Sequence, residues 1–257
     1  MKTNIVKEKL RNGEAVLGLI EASLTGSQAE ILGLLGFDFL LFDTEHGNIT
    51  DDMLESLLRA ADCTDCPALV RVQSHDEKKI LRAMDLGACG VLVPMVESRE
   101  EAAACAAAVR YAPEGSRGLS MGTRAAGHGL SITAKEHIAQ TNEQSLVMAQ
   151  IESVRGLENL DEMLKEKGVD VFFIGPTDLS QSMGYAGDKK NPAVQSAIRG
   201  AIARITAAGS IAGIHTGSFE DVRRYYEYGA RLITCSSLSI CKGALRGFLQ
   251  DFRGLER

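Results

Sequence analysis

No stretch of the 257-residue chain supplies the roughly 20 consecutive apolar residues that a membrane-crossing helix needs, so no membrane span is expected. Nor is there a basic excess. Lys and Arg number 28 against 34 Asp and Glu, for a net charge of −6, which offers nothing to a phosphate backbone or an anionic lipid surface and argues against nucleic-acid and membrane partners. G-x-G-x-x-G and G-x-x-x-x-G-K-[ST] are both missing, which removes the usual phosphate-cradling loops and weighs against nucleotide-dependent chemistry. There is no low-complexity tract, no Pro/Ser-rich linker and no long charge block, so residues 1–257 read as one domain. Residues 1–14 are charged and lack the apolar centre of an export signal, which points to the cytoplasm. Six cysteines (63, 66, 89, 105, 235 and 241) are dispersed through the chain, and reduced thiols are expected. Cys63 and Cys66 form a C-x-x-C, but no further ligands stand at zinc spacing and the pair does not open a helix; buried, inert thiols are the preferred reading.

What is present is one repeated pattern: a short apolar strand, a polar or glycine turn, an amphipathic helix, then glycine and the next strand. Gly36, Gly87, Gly168, Gly209 and Gly229 occupy the helix-to-strand junctions, where a left-handed backbone is often needed. Ser27 with Glu30, Ser98 with Glu101 and Thr133 with Glu136 fit the capping-box spacing. Strands are expected at 15–21, 38–43, 68–72, 90–94, 146–151, 170–174, 211–215 and 231–235. Several are unbroken apolar runs, as suits parallel strands buried on both faces. Leu54, Leu57, Leu58 and Ala61 share one helical face, as do Leu157, Leu160, Met163 and Leu164. Segment 113–145 reads as an elaborated connection with a short helix near 134–141, and a last helix is expected over 240–252. Eight such units in this length predict an α/β fold of the (β/α)₈ TIM-barrel type.

Catalytic groups of such barrels sit at the carboxyl ends of the strands. Those ends carry Glu21, Asp43-Thr44-Glu45-His46, Arg71, Gln150-Ile151-Glu152, Gly175-Pro176-Thr177-Asp178 and His215. Glu152 and Asp178 make a divalent-metal site, with hard oxygen donors that favour Mg²⁺ or Mn²⁺; the competing reading makes each a helix cap. Gln150 and Glu152 are two residues apart and project to one side. His46 can move a proton near neutral pH, with Asp43 to orient its ring. Arg71 ends a buried strand and needs an acid or an anionic substrate. His215 shapes the pocket, while His75, His128 and His137 read as surface-like and carry no chemistry. No lysine falls in an expected strand, so Schiff-base aldol chemistry is disfavoured and a metal is the expected stabiliser of any carbanion.

The blocks Phe37-Asp38-Phe39-Leu40-Leu41-Phe42-Asp43-Thr44-Glu45-His46, Ala68-Leu69-Val70-Arg71-Val72, Gly87-Ala88-Cys89-Gly90-Val91-Leu92-Val93-Pro94-Met95-Val96, Gln150-Ile151-Glu152 and Phe173-Ile174-Gly175-Pro176-Thr177-Asp178-Leu179-Ser180 resemble the HpcH/HpaI aldolase family, in that family's order and spacing. The resemblance implies a metal-dependent retro-aldol cleavage of a 4-hydroxy-2-oxo acid to pyruvate and an aldehyde. Glu152 and Asp178 would hold Mg²⁺, Mn²⁺ or Co²⁺. Arg71 would stabilise the enolate oxygen, and Gln150, Gly175 and Thr177 would contact pyruvate. His46 with Asp43 would be the base, and Asp85 aligns with a further acid of the family. The resemblance also implies a homo-oligomer, a hexamer with an exchanged terminal helix. It departs after Arg71, where Val72-Gln73-Ser74 replaces a frequent proline, and over 117–124; both regions line the aldehyde end. Two alternatives keep the barrel: an acyl-CoA lyase of the citrate/malyl-CoA type, which needs a basic surface, and a non-catalytic pyruvate or oxaloacetate binder, which needs no base.

Overall fold

The structure, a computed structural model describing residues 3–255, is a closed barrel of eight parallel strands in sequence order. They are β1 Val16–Glu21, β2 Phe39–Asp43, β3 Ala68–Arg71, β4 Gly90–Val93, β5 Leu146–Ile151, β6 Val171–Ile174, β7 Ile211–His215 and β8 Leu232–Cys235. Each lies within a residue or so of the expected span. The apolar runs explain why: every residue of β2, β4, β5, β6 and β8 is buried. Side chains alternate between two cores. Val16, Phe39, Leu41, Leu69, Leu92, Met148, Val171, Phe173 and Leu232 fill the barrel, while Leu19, Leu40, Phe42, Val70, Val91 and Ile174 pack outward under the helices. Gly18 and Gly213 leave room inside the barrel for the rings of Phe39 and Phe173, against which any Cβ would collide.

The two mouths differ. Helix Ile5–Arg11 covers the amino-terminal one, driving Val6 and Leu10 into the inner core. Its Lys7 Nζ donates to Ser145 O at 2.6 Å and pairs with Asp170 at 3.1 Å. The carboxyl-terminal mouth stays open.

Several local expectations change. The first capping box forms at Thr25 and Gln28 rather than Ser27 and Glu30, because the helix Gly26–Leu34 begins two residues earlier than that pairing requires; the boxes at Ser98/Glu101 and Thr133/Glu136 form as expected. Gly36, Gly87, Gly209 and Gly229 adopt positive φ. Gly168 does not; a Cβ there would stand 2.6 Å from that of Ala106, so packing accounts for it. The face of Leu157, Leu160, Met163 and Leu164 is split between Val154–Glu158 and Leu160–Met163, broken at Asn159, whose side chain donates to Glu97 O at 2.8 Å. His137 is no surface residue: it is fully buried in Ala134–Gln144 and meets the Tyr111 hydroxyl at 3.0 Å. Cys63 and Cys241 are exposed, whereas Cys66, Cys105 and Cys235 are buried, and all six thiols are free. The last helix spans Ser237–Gly254 and buries no residue; Leu245 and Phe248 point outward at 68% and 77% exposure.

Candidate active site

β2 and β3 pair in a register that sets Asp43 opposite Arg71. The guanidinium grips the carboxylate with two bonds, Nε to Oδ1 at 2.9 Å and Nη2 to Oδ2 at 2.6 Å. Asp43 Oδ1 also accepts the backbone N–H groups of Glu45 (3.1 Å) and His46 (3.3 Å). Burial pushes the Asp43 carboxyl upward, but the Arg71 bonds and charge and the two N–H groups outweigh it and hold it below the usual carboxylate range. Two of the five guanidinium N–H donors are thereby committed; the others remain for the cleft.

This pairing corrects the expected one between Asp43 and the His46 ring. Asp43 has spent its oxygens on Arg71 and the loop, and the acid beside the imidazole is Glu45, whose Oε2 lies 3.8 Å from His46 Nε2 and 3.3 Å from Arg71 Nε. That oxygen is buried and lacks a hydrogen bond. Burial raises the Glu45 carboxyl, against the pull of Arg71 and His46. Strand alternation gives no signal for this, because β2 ends at Asp43 and Glu45 lies in the bend that follows. Because the His46 side chain is 63% exposed, water screens the contact. Glu45→Gln is therefore expected to lower kcat by only about tenfold, against the hundredfold or more of a lost general base, with KM nearly unchanged in steady-state kinetics.

Across the mouth, Gln150 on β5 donates through Nε2 to Glu152 Oε2, as the two-residue spacing predicts. Glu152 Oε1 accepts the Met95 N–H at 2.9 Å; Met95 holds a left-handed φ of 53° just past β4, a strained conformation that aims this donor. Neither acid is a helix cap. Ser153 caps Val154–Glu158, its hydroxyl accepting from Gly156 N at 3.0 Å. Asp178 lies inside the first turn of Pro176–Ser182, which has no side-chain cap. Glu152 is 3% exposed. Burial first, then the charges of Asp178 and Glu45, lift its carboxyl to about 7 despite the bonds from Met95 and Gln150. Gln150 Oε1 is buried without a partner.

A buried carboxyl raised by burial, a second carboxylate close enough to act on it and an orphaned amide oxygen form a hard-oxygen donor set that suits a hard divalent cation. Among the described residues no cluster of three or more His, Cys, Asp or Glu is arrayed for a metal.

Gly175 follows β6 and lies against this pair. A Cβ there would fall 2.5 Å from Glu152 Oε2, 2.8 Å from Glu152 Cβ and 2.9 Å from Gln150 Nε2. Gly175→Ala should displace both side chains and weaken Mn²⁺ affinity by roughly tenfold or more, consistent with lost orientation of a ligand; a Mn²⁺ titration checks it.

The cleft lined by Asp43, His46, Arg71, Gln150, Gly175 and Asp178 measures about 350 Å³ and is also lined by Glu21, Thr177 and His215. The His215 ring Nδ1 lies 3.1 Å from Thr234 Oγ1, and burial, then Lys189 and Arg71, depress it to about 4. Asp85 is not in this cleft. It ends helix Glu77–Asp85, at the amino-terminal rim, where it takes Arg117 Nη2 at 2.6 Å; within one chain the structure does not bring it to His46.

Residues 18–236 match the family model described as HpcH/HpaI aldolase/citrate lyase. The chain belongs to that family. The 5-keto-4-deoxy-D-glucarate aldolase of Escherichia coli O6:H1 is 35% identical over 252 residues, covering 97% of each chain. An HpcH/HpaI aldolase/citrate lyase family protein from Burkholderia cenocepacia J2315 superposes with a TM-score of 0.92 at 34% identity, over 98% of this chain and 100% of that one. An HpcH/HpaI aldolase from Desulfitobacterium hafniense DCB-2 gives 0.89 at 25% identity, over 96% of each.

Proposed function

We propose that this chain is a class II, divalent-metal-dependent pyruvate aldolase that reversibly cleaves a 4-hydroxy-2-oxo acid into pyruvate and an aldehyde. The observation that carries the reading is Glu152: a buried acid that caps no helix, is held by Gln150 and Met95, and lies directly behind Gln150 and Gly175, which line one cleft with Arg71, His46 and Asp178.

Glu152 and Asp178 would hold the cation, Mg²⁺, Mn²⁺ or Co²⁺. When bound it supplies Lewis-acid stabilisation of negative charge on the 2-oxo oxygen. The chain's own groups do the rest. His46 takes the proton of the C4 hydroxyl, the C4–O bond becomes a carbonyl, and the C3–C4 electron pair moves toward the C2 oxygen as the aldehyde separates. Arg71, fixed by Asp43, presents its remaining N–H donors where that charge develops, and stabilisation of this kind is commonly what accelerates an enzymatic reaction most. Gln150, Gly175 and Thr177 shape the seat of the pyruvate moiety. A proton then returns to C3.

Coupled pyruvate-release assays on hydroxy-oxo acids test the reading. Release should require Mg²⁺, Mn²⁺ or Co²⁺, stop with EDTA and return on readdition; undiminished release after rigorous chelation would overturn the metal role. We also place the protein in the cytoplasm, for which six free thiols speak. We further infer a homo-oligomer, a hexamer, supported by the apolar side chains that the last helix leaves uncovered. No helix among the described residues is long and apolar enough to cross a membrane.

A further inference from the structure

In the closed ring of eight strands, β1 stands four places from β5 in either direction. Glu21, at the end of β1, therefore lies across the mouth from Gln150 and Glu152. His215 ends β7, and Ser236 follows β8. On the aldolase reading, pyruvate occupies the side of β3, β5 and β6, and His46 after β2 addresses C4. The aldehyde carbons then extend toward the arc of β7, β8 and β1.

That arc carries polar side chains and one carboxyl group. Glu21 is 4% exposed and lines the cleft. Ser237 is the one residue among those described that hydrogen-bonds it, its N–H meeting Oε1 at 2.8 Å, and no Lys or Arg among them is paired with it. An almost fully buried carboxylate without a cation is costly unless hydrogen-bond donors reach it. Opposite Arg71 and Asp43, whose charges both act on it, His215 is anchored through Nδ1 to the fully buried Thr234; Nε2 is the polar atom it brings to the cleft. Leu238 and Ser236 complete this side. Lys189 acts on His215 from the loop after Pro176–Ser182 but does not line the cleft.

We propose that Glu21 and His215 form the acceptor subsite, selecting an uncharged hydroxyaldehyde and rejecting one that ends in a carboxylate. Hydroxyl donors satisfy the Glu21 carboxylate and one hydroxyl bonds His215 Nε2. A second carboxylate would be set against Glu21 with no cation between them. The substrate class is then a monocarboxylic 4-hydroxy-2-oxo acid with further hydroxyls beyond C4, rather than a dicarboxylic one. This inference rests on the aldolase reading.

The test is aldol addition of pyruvate to D-glyceraldehyde, succinic semialdehyde and propanal, comparing kcat/KM for each aldehyde. Wild-type protein should favour glyceraldehyde over succinic semialdehyde by at least about tenfold, the scale of a site that hydrogen-bonds one substrate and sets like charges against the other. Glu21→Gln keeps the shape and an acceptor for Ser237 N–H, and it should move that ratio at least about tenfold toward succinic semialdehyde. His215→Leu should lower glyceraldehyde relative to propanal by roughly tenfold. A residue that only braces the last helix would change the melting temperature and leave the ratios alone. Exchange of pyruvate methyl protons in D₂O by wild-type protein separates the two levels. Exchange with ratios unmoved by Glu21→Gln, or a wild-type preference for succinic semialdehyde, would overturn the subsite alone. No exchange would overturn the aldolase reading and the subsite with it.

Discussion

Arg71→Ala is expected to damage the enzyme twice, once in catalysis and once in stability, and the two losses separate cleanly. In catalysis, kcat should fall by at least a hundredfold to a thousandfold, the scale of one donor lost from a site of developing negative charge. In stability, the deletion strands Asp43, whose side chain is only 4% exposed and whose Arg71 partner is 11% exposed. Breaking a buried ion pair from one side costs about 3–5 kcal/mol, which for a protein of this size lowers the melting midpoint by roughly 10 °C. The sign of the pH dependence follows from Asp43. Its folded-state carboxyl is held below the ordinary value, so the pair's contribution is fully present above the unfolded pKa of about 3.9 and disappears as pH falls through the folded value. The stability gap between wild type and Arg71→Ala should therefore be widest at neutral pH and close in acid. Adding Asp43→Asn to Arg71→Ala removes the stranded charge. Stability should largely return while turnover stays low; recovery of both would mean that Arg71 acts only as a structural partner.

That outcome turns on a register the sequence could be made to yield. Asp43 and Arg71 end two unbroken apolar runs, and runs of that kind declare their own limits, so the strands and the charged residues at their ends were legible. So was the shared side of Gln150 and Glu152, because alternation along a strand is fixed by the backbone alone. What lay beyond the strands was not. Whether Asp43 or Glu45 meets the His46 ring depends on how the loop folds after β2, and that is settled by Asp43 Oδ1 capturing two backbone N–H groups. Asp85 looked like a member of the site from its alignment alone. Its position at the end of helix Glu77–Asp85, two residues before the Gly87 junction into β4, puts it at the other rim. The orphaned Glu45 Oε2 and the buried Glu21 likewise became visible only when neighbouring strands were set side by side.

Glu152→Gln is expected to abolish metal-dependent pyruvate release, by at least a thousandfold, and to cut Mn²⁺ affinity by a hundredfold or so, since it removes one of two carboxylates and its charge while preserving the shape that Met95 and Gln150 hold. The wild-type protein carries its own control in pH. With Glu152 lifted to about 7 in the metal-free protein, a proton competes with the cation below that value. Mn²⁺ affinity should fall by up to tenfold per pH unit as pH drops from about 7, measurable by titration calorimetry across pH 5.5–8. Stability of the metal-free protein runs the other way. A carboxyl raised above its unfolded value binds a proton on folding, so its ionisation weakens the fold progressively above the unfolded pKa, until pH passes the folded value near 7. The stabilisation conferred by Mn²⁺ should accordingly grow from pH 5.5 to 8, and Glu152→Gln should flatten both trends. A wild-type affinity that is level across this range would show that Glu152 does not bind the ion.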